Sequence, residues 1–362
     1  MAMIALCAGL LCAGCTGTAG PAPGGGPAAA GAPQPAAGVN KPSVLVRNLE
    51  VPWAIAFLPD GDALVTERDS ARLLRVTPQG RVSTVGTVPG VEPSGEGGLL
   101  GVAVSPSFGR DRLVYLYFST ATDNRIVRFR YPVGGIGQMG IEFDAVLTGI
   151  PRAAIHNGGR LAFGPDGMLW ATTGEHAEPG ISQDRDSLGG KILRMTPDGK
   201  PAPGNPFGTV VWTYGHRNVQ GIAWDSNGRM YASELGQNRF DEVNRIRKGH
   251  NYGWPVIEGA GHDKAYTDPE LTWPTQEASP SGAAIAAGSL WVAALRGERL
   301  WQVPLDHAGA VGRPIAHFTG EFGRLREVVR APDGSLWFTT SNRDGRGNPG
   351  PDDDMILVLK PG

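Results

Sequence analysis

The stretch AIHNGGRLAFGPDGMLWATTGE, residues 154–175, contains two different patterns. Its second half is a β-hairpin pattern: an alternating strand, the turn Pro-Asp-Gly and a second apolar strand. Its first half is polar and places His156 ahead of two glycines and an arginine. The hairpin half recurs along the chain, whereas the polar half does not. This contrast predicts a site built on a repeated scaffold.

The repeated hairpins predict the fold. Further copies lie at 53–68, 101–120, 220–235, 283–296 and 326–341. Most have an Asp-Gly or Asn-Gly turn, which supplies the positive φ that a tight hairpin needs. Six turns at intervals of roughly 45–60 residues match the length of a four-stranded blade. A β-sandwich also contains hairpins, but not six at this spacing. The sequence therefore predicts an all-β fold, a six-bladed β-propeller of four-stranded blades over residues 42–362.

The composition agrees with this fold and argues against a nucleic-acid partner. The 362 residues include 54 glycines and 30 prolines, which favour turns over helices. The formal net charge of −2 gives no electrostatic footprint for nucleic acid or for an anionic membrane surface. We therefore expect no nucleic-acid partner.

The N-terminus predicts export. Residues 1–15 form a short apolar run that ends in Ala-Gly-Cys, which is typical of a bacterial lipoprotein signal segment with Cys15 as the lipidated residue. The run is too short to span a bilayer. Residues 16–41 are rich in Gly, Pro and Ala and predict a flexible tether. We expect a protein that is lipid-anchored on the outer face of the bacterial cell membrane. The alternative is that the apolar run is a buried N-terminal segment.

Several kinds of chemistry are excluded from the predicted propeller. All three cysteines lie in the leader, at positions 7, 12 and 15, which rules out disulfides, thiolate catalysis and Cys-ligated metal centres in the folded domain. The sequence also lacks the motifs G-x-S-x-G, H-E-x-x-H and Walker A. Chemistry must therefore come from dispersed polar residues at one mouth of the propeller.

Four polar clusters adjoin the predicted hairpins. They are His156 with Asn157 and Arg160, the run YGHRNVQG at 214–221, the run ELGQNRFDEVNRI at 234–246, and Arg324 with Arg326 and Arg296. Strand alternation puts Arg324 and Arg326 on one face, where they repel each other unless an anion lies between them. Each cluster also has a structural explanation; Asp241 and Glu242, for example, are available as partners for the arginine pair.

Taken together, these motifs resemble the soluble PQQ-dependent sugar dehydrogenases, the glucose/sorbosone and aldose sugar dehydrogenase group. The resemblance covers residues from about 45 to 360. It rests on VPWAIAFLPDG, GEGGLLGVAVSPSF, HNGGRLAFGPDG, GGKILR, YGHRNVQGIAWD, NYGWP and GRLREVV. It implies a six-bladed propeller with pyrroloquinoline quinone (PQQ) and Ca²⁺ in the central mouth.

The resemblance also implies an activity and a role for individual residues. The expected reaction is oxidation of aldose sugars at C1 to lactones, with hydride transfer to PQQ and onward transfer of electrons to an acceptor. His156 would be the general base, and Arg217 would stabilise negative charge at the quinone. The implied cofactor contacts are Asn218, Arg296, Arg324 and Arg326. The implied calcium ligands are the main-chain carbonyls of Gly236 and Gln237, and the implied sugar contacts are Glu96 and Trp273.

Two other functions fit the same fold. One is a non-catalytic cell-surface propeller lipoprotein that binds a ligand or partner. The other is a lactonase-type hydrolase with Ca²⁺ held by side chains such as Glu175, Asn218 and Asp241, which would leave the arginines unexplained. The acidic loop 347–355 predicts a solvated loop, with an extra Ca²⁺ site as the alternative.

Overall fold

The predicted fold is confirmed by the computed structural model, which describes residues 34–35, 39–132 and 142–361. Six four-stranded antiparallel sheets form the blades of a β-propeller. The described helices are short: the α-helix Phe108–Asp111 and the 3₁₀-helix Pro179–Ser182. The first of these stands where the sequence pattern predicts the hairpin turn of the second blade.

The blades follow one another along the chain. Blade 1 comprises Pro52–Phe57, Ala63–Glu67, Arg72–Val76 and Val82–Thr87. Blade 2 comprises Leu99–Val104, Leu113–Ser119, Asn124–Arg130 and Asp144–Ile150. Blade 3 comprises Leu161–Phe163, Leu169–Thr172, Lys191–Met195 and Val211–Tyr214. Blade 4 comprises Val219–Trp224, Met230–Glu234, Phe240–Ile246 and Leu271–Pro274. Blade 5 comprises Pro280–Ala286, Ser289–Ala294, Arg299–Pro304 and Ile315–His317. Blade 6 comprises Leu325–Arg330, Leu336–Thr340, Ile356–Leu359 and, as its outermost strand, Ser43–Val46.

The ring is closed by the two ends of the propeller domain. Ser43–Val46 pairs antiparallel with Ile356–Leu359, so an early strand completes the last blade. The innermost strands of neighbouring blades contact each other at most junctions, including that of blade 6 with blade 1. Between blades 3 and 4, the innermost strand of blade 4 contacts Leu169–Thr172, the second strand of blade 3. Closure packs every blade between two neighbours and leaves only short sheet edges at the outside of the ring.

Residues 34–35 extend blade 5. Gln34–Pro35 pairs in parallel with Ile315 and Ala316, at the outer edge of that sheet. These two residues belong to the segment predicted as a tether. The rest of 16–38, and the predicted signal segment with Cys15, lie outside the described residues. Within the part of the chain that the structure describes, no helix is long and apolar enough to cross a membrane.

The strand order places all the polar clusters at one end. Every innermost strand begins at the same mouth, and the Asp-Gly and Asn-Gly turns lie at the opposite end of the blades. The mouth is therefore formed by the segments that enter each innermost strand and by the loops between the second and third strands. These loops contain few repeated residues, so they are free to differ from blade to blade.

The central channel is closed beneath this mouth by a buried ion pair. Arg160 in blade 3 contacts Glu327 in blade 6, the blade directly opposite, so the pair crosses the channel. The Arg160 guanidinium also lies 4.4 Å from the ring centre of Trp53 and donates to the carbonyl of Gln220. Arg160 therefore connects blades 1, 3, 4 and 6 beneath the mouth. We assign it a structural role and not a catalytic one.

Candidate active site at the propeller mouth

His156 lies at the mouth, in the segment that enters blade 3. Its φ of 59° is in the left-handed region, and Gly158 and Gly159 follow with φ of 63° and 105°. A side chain on Gly158 would come within 2.5 Å of the carbonyl of Thr172, so the turn needs glycine there. The tight turn holds the histidine at the edge of the mouth, 9% exposed.

The imidazole of His156 has a buried carboxylate partner. Nδ1 of His156 lies 2.5 Å from Oε1 of Glu175, whose side chain is 1% exposed. A carboxylate on Nδ1 keeps the proton on that nitrogen, leaves Nε2 as a free base and stabilises the imidazolium that forms when Nε2 takes a proton. From the sequence, Glu175 was predicted only as a metal ligand for a hydrolase. Its position after the second strand of the same hairpin explains why it meets His156.

Glu96, predicted as a sugar contact, positions the main chain of His156. Its Oε2 accepts from the His156 amide at 2.9 Å, and its Oε1 accepts from Arg346 Nη1 at 2.9 Å. Burial opposes ionisation of Glu96. The amide of His156 and the charge of Arg346 more than offset it and hold the pKa of this carboxyl below its usual value. Glu96 is half-buried at the mouth, so contact with a sugar stays a prediction.

Arg217 and Asn218 lie beside the histidine, at the entry to blade 4. Arg217 packs over Trp254, with 5.6 Å from the guanidinium carbon to the ring centre, and donates from Nη1 to the carbonyl of Leu235. Its Nε is buried without a hydrogen-bond partner among the described residues. Oδ1 of Asn218 accepts from the Gly158 amide at 3.0 Å, which links Asn218 to the histidine turn.

Arg324 and Arg326 share one face, as the alternation predicts, but their partner is a different carboxylate from the one considered. Both approach Asp344: Oδ2 lies 2.9 Å from Arg324 Nη2 and 3.7 Å from Arg326 Nη2. Asp241 and Glu242, the partners suggested by the sequence, are engaged elsewhere, Asp241 by the amides of Gly236 and Ser279 and Glu242 by Gly259 and Asn244.

The third arginine of this cluster is Arg68 rather than Arg296. Arg68 is 5% exposed and donates from Nη2 to the carbonyl of Asp344 at 3.5 Å. Arg296 is exposed on the turn between Ser289–Ala294 and Arg299–Pro304, at the same mouth. Contact of Arg296 with a cofactor stays a prediction. Arg68 was overlooked because it ends a strand of the repeated hairpin and so looked like scaffold.

The prediction for Trp273 is wrong. Trp273 lies in the outermost strand of blade 4, is fully buried and stacks on Trp301 of blade 5 with ring centres 5.4 Å apart. A side chain sealed between two blades cannot form the wall of a sugar site. The aromatic residue that the structure does place at the mouth is Trp254, beneath Arg217.

The Gly236–Gln237 loop has a defined orientation. Oε1 of Glu258 accepts from the amides of Gln237, Asn238 and Arg239 at 2.7–3.0 Å. The N–H and C=O of a trans peptide point in opposite directions, so the carbonyls of Gly236 and Gln237 point away from Glu258. They are hard oxygen donors of the type that Ca²⁺ takes. Among the described residues no group of three or more His, Cys, Asp or Glu side chains is placed to hold a metal, so calcium here would depend on such carbonyls.

The side-chain metal sites considered for other functions do not form. Glu175 binds His156, Asn218 Oδ1 binds Gly158, and both oxygens of Asp241 accept main-chain amides, so this set does not converge on an ion. The acidic loop 347–355 is not simply solvated: Asp352 is exposed, whereas Asp353 and Asp354 are buried. Asp354 accepts a hydrogen bond from the amide of Asn342 and so stabilises the conformation of the loop.

The donor set at the mouth fits an anionic cofactor. Arg324 and Arg326 share one carboxylate, that of Asp344, while Arg68 beside them is paired with Asp69. Nε of Arg217 and Nε of Arg326 are buried without partners among the described residues. Buried guanidinium groups that keep unused N–H donors bind carboxylates well. The mouth therefore combines the base His156 of blade 3 with Arg217 of blade 4. Its anion site comes from the arginines of blades 6 and 1.

Comparison with known proteins agrees with this arrangement. The family model described as glucose/sorbosone dehydrogenase matches residues 49–356. The PQQ-bound form of aldose sugar dehydrogenase from Streptomyces coelicolor is 54% identical, with a TM-score of 0.87 over 91% of this chain and 99% of that chain. Aldose sugar dehydrogenase YliI of Escherichia coli is 30% identical over 83% of this chain and 90% of its own. Quinoprotein glucose dehydrogenase B of Acinetobacter calcoaceticus is 34% identical over 62% of this chain and 54% of its own. The chain belongs to the glucose/sorbosone dehydrogenase family.

Proposed function

We propose that this protein is a PQQ- and calcium-dependent aldose sugar dehydrogenase that oxidises the sugar at C1 to a lactone. The observation that carries the proposal is the buried His156–Glu175 pair at a mouth that also holds under-neutralised arginines. Family membership and the PQQ-bound relative support the redox chemistry. A non-catalytic propeller would have no use for a histidine base held near arginines with unused buried donors.

His156 is the proton acceptor in this proposal. Glu175 occupies Nδ1, so Nε2 receives the proton of the sugar's anomeric hydroxyl, and the Glu175 carboxylate stabilises the resulting imidazolium. When bound, PQQ supplies the two-electron acceptor for the hydride that leaves C1. The sugar therefore loses one proton to the protein and one hydride to the cofactor, which converts the hemiacetal into the lactone.

The remaining residues bind and orient. Arg324, Arg326 and Arg68 form the anion site for the carboxylates of PQQ, and Asn218 would add an amide contact. The main-chain carbonyl of Arg217 accepts from the Glu175 amide, so Arg217 lies at the same part of the mouth as the base. There it would stabilise negative charge that develops on the quinone. The carbonyls of Gly236 and Gln237 would hold Ca²⁺.

One assay tests the proposal. The purified protein is incubated with PQQ and Ca²⁺, and reduction of an artificial electron-acceptor dye is followed with a panel of aldoses. We expect reduction that requires both the sugar and PQQ, with a lactone as product. Absence of sugar-dependent reduction across the panel, in protein shown to bind PQQ, would contradict the proposed activity.

We also propose export and lipid anchoring at Cys15, on the basis of the N-terminal pattern alone. Expression of the full chain with radiolabelled fatty acid should give a labelled, membrane-associated protein. The Cys15→Ala variant should lose both the label and the membrane association, and labelling of that variant would contradict the assignment.

A further inference from the structure

One carboxylate stands in the middle of the arginine cluster. Oδ2 of Asp344 accepts from Nε and Nη2 of Arg324 at 3.0 and 2.9 Å and lies 3.7 Å from Nη2 of Arg326. Its side chain is 2% exposed. Burial opposes ionisation of Asp344. The charges of Arg326 and Arg324 more than offset it, so the pKa of the carboxyl is below its usual value and the group is ionised at neutral pH.

The positive charge around this carboxylate is only partly neutralised. Arg68 has its own partner, Asp69, at 2.5 Å, so Arg324 and Arg326 share Asp344 between them. Arg326 also donates from Nη1 to the uncharged side chain of Gln220, at 3.1 Å from Oε1, and its Nε is buried without a partner among the described residues. Burial lowers the pKa of Arg326 to about 9. One guanidinium is therefore left without a counter-charge of its own.

Asp344 is held in place by its own loop. It lies between the second and third strands of blade 6, and its Oδ1 accepts from the amide of Arg346 at 2.9 Å. Arg346 of the same loop donates to Glu96, and Glu96 in turn accepts from the amide of His156. The loop therefore fixes the position of the carboxylate among the arginines.

We propose that Asp344 is the internal counter-ion of the anion site: it keeps Arg324 and Arg326 in position in the empty protein and opposes the binding of an anionic cofactor there. Asp344 is an anion fixed where a second anion is to bind, so it lowers affinity for that ligand while it stabilises the cofactor-free state. The inference rests on the proposed function, in which this cluster binds the carboxylates of PQQ.

The test compares Asp344→Asn with wild type and with Asp352→Asn, a control aspartate that is 58% exposed and 3.7 Å from Arg47. Asparagine removes the charge and keeps one oxygen for Arg324, while its NH2 group cannot accept from the Arg346 amide as Oδ1 does. We expect Asp344→Asn to melt at a lower temperature without ligand, and to bind PQQ about tenfold more tightly at low salt, with a steeper loss of affinity as salt rises. Asp352→Asn should match wild type in both.

A second measurement separates this inference from the proposed function. Sulfate should raise the melting temperature of Asp344→Asn more than that of wild type, because a free anion then replaces the missing carboxylate. Equal sulfate effects, or weaker PQQ binding by Asp344→Asn, would overturn the counter-ion assignment. Failure of wild type to bind PQQ would instead overturn the proposed function, and the sulfate comparison would still decide the role of Asp344.

Discussion

Nδ1 of His156 lies 2.5 Å from Oε1 of Glu175, so the proposed base and the carboxylate that orients it come from the two ends of a single hairpin. We expect Glu175→Gln to lower turnover at least about 10²-fold, because the amide neither stabilises an imidazolium nor fixes the tautomer with a free Nε2. PQQ binding should be retained. Steady-state dye reduction and a separate PQQ titration measure the two effects, and unchanged turnover would contradict the pairing.

Replacement of the base itself gives the second prediction. We expect His156→Ala to bind PQQ and to lose about 10²–10⁴-fold in turnover, the usual contribution of a positioned base. The double variant with Glu175→Gln should be little worse than His156→Ala alone, since the carboxylate acts through the imidazole. His307→Ala, an exposed histidine remote from the mouth, is the matched control. Fully additive losses would mean that Glu175 has a separate role.

The repeated part of the molecule is predictable from sequence, and the loops at the mouth are predictable only in part. The Asp-Gly and Asn-Gly turns predict the blades because a tight hairpin needs their backbone conformation. His156, Arg217, Arg324 and Arg326 stand out because polar residues there interrupt an apolar pattern.

The remaining site residues have no such signal. Asp344 belongs to an irregular loop, and its pairing with Arg324 depends on how that loop folds back over blade 6. Trp273 was misplaced because its role came from the family resemblance alone, and nothing in the sequence shows that it lies in the outermost strand of its blade.

Arg326 provides a third prediction, which separates a binding role from a structural one. Its Nε has no partner among the described residues and burial lowers its pKa to about 9, so the empty protein gains little from this charge. We expect Arg326→Met to melt at an equal or higher temperature without ligand and to bind PQQ at least several-fold more weakly. Thermal melts with and without PQQ and Ca²⁺ measure both. A lower melting temperature with unchanged stabilisation by PQQ would make Arg326 part of the scaffold.

Calcium is the subject of the fourth prediction. We expect PQQ to bind tightly only when Ca²⁺ is present, because the Gly236 and Gln237 carbonyls would hold the ion and the ion would polarise the quinone. A titration of PQQ in Ca²⁺ and in excess EDTA tests this. Glu258→Ala should weaken binding in Ca²⁺ and have little effect in EDTA, since Glu258 fixes the amides of that loop. Equal PQQ affinity in both buffers would remove calcium from the site.

A pair of acidic side chains next to the Gly236–Gln237 loop gives the last prediction. Glu242 lies opposite Glu234 on the neighbouring strand, and Asn244 Nδ2 donates to both, at 3.0 and 3.1 Å. Burial, together with the charge of Glu234, raises the pKa of Glu242 from 4.5 to about 8. Glu242 is therefore protonated in the folded protein at neutral pH, whereas the unfolded chain has already lost this proton.

The sign of the pH effect follows from that difference. Between pH 4.5 and about 8 the folded state binds more protons at this site, so each rise in pH favours unfolding, by up to about 1.4 kcal/mol per pH unit from this group. We expect Glu242→Gln to remove that contribution and to gain stability relative to wild type as pH rises from 5 to 8. Glu270→Gln, a partly exposed glutamate near Arg247, is the control. Urea unfolding of the three proteins at several pH values measures the effect, and a stability difference between wild type and Glu242→Gln that does not change with pH would contradict it.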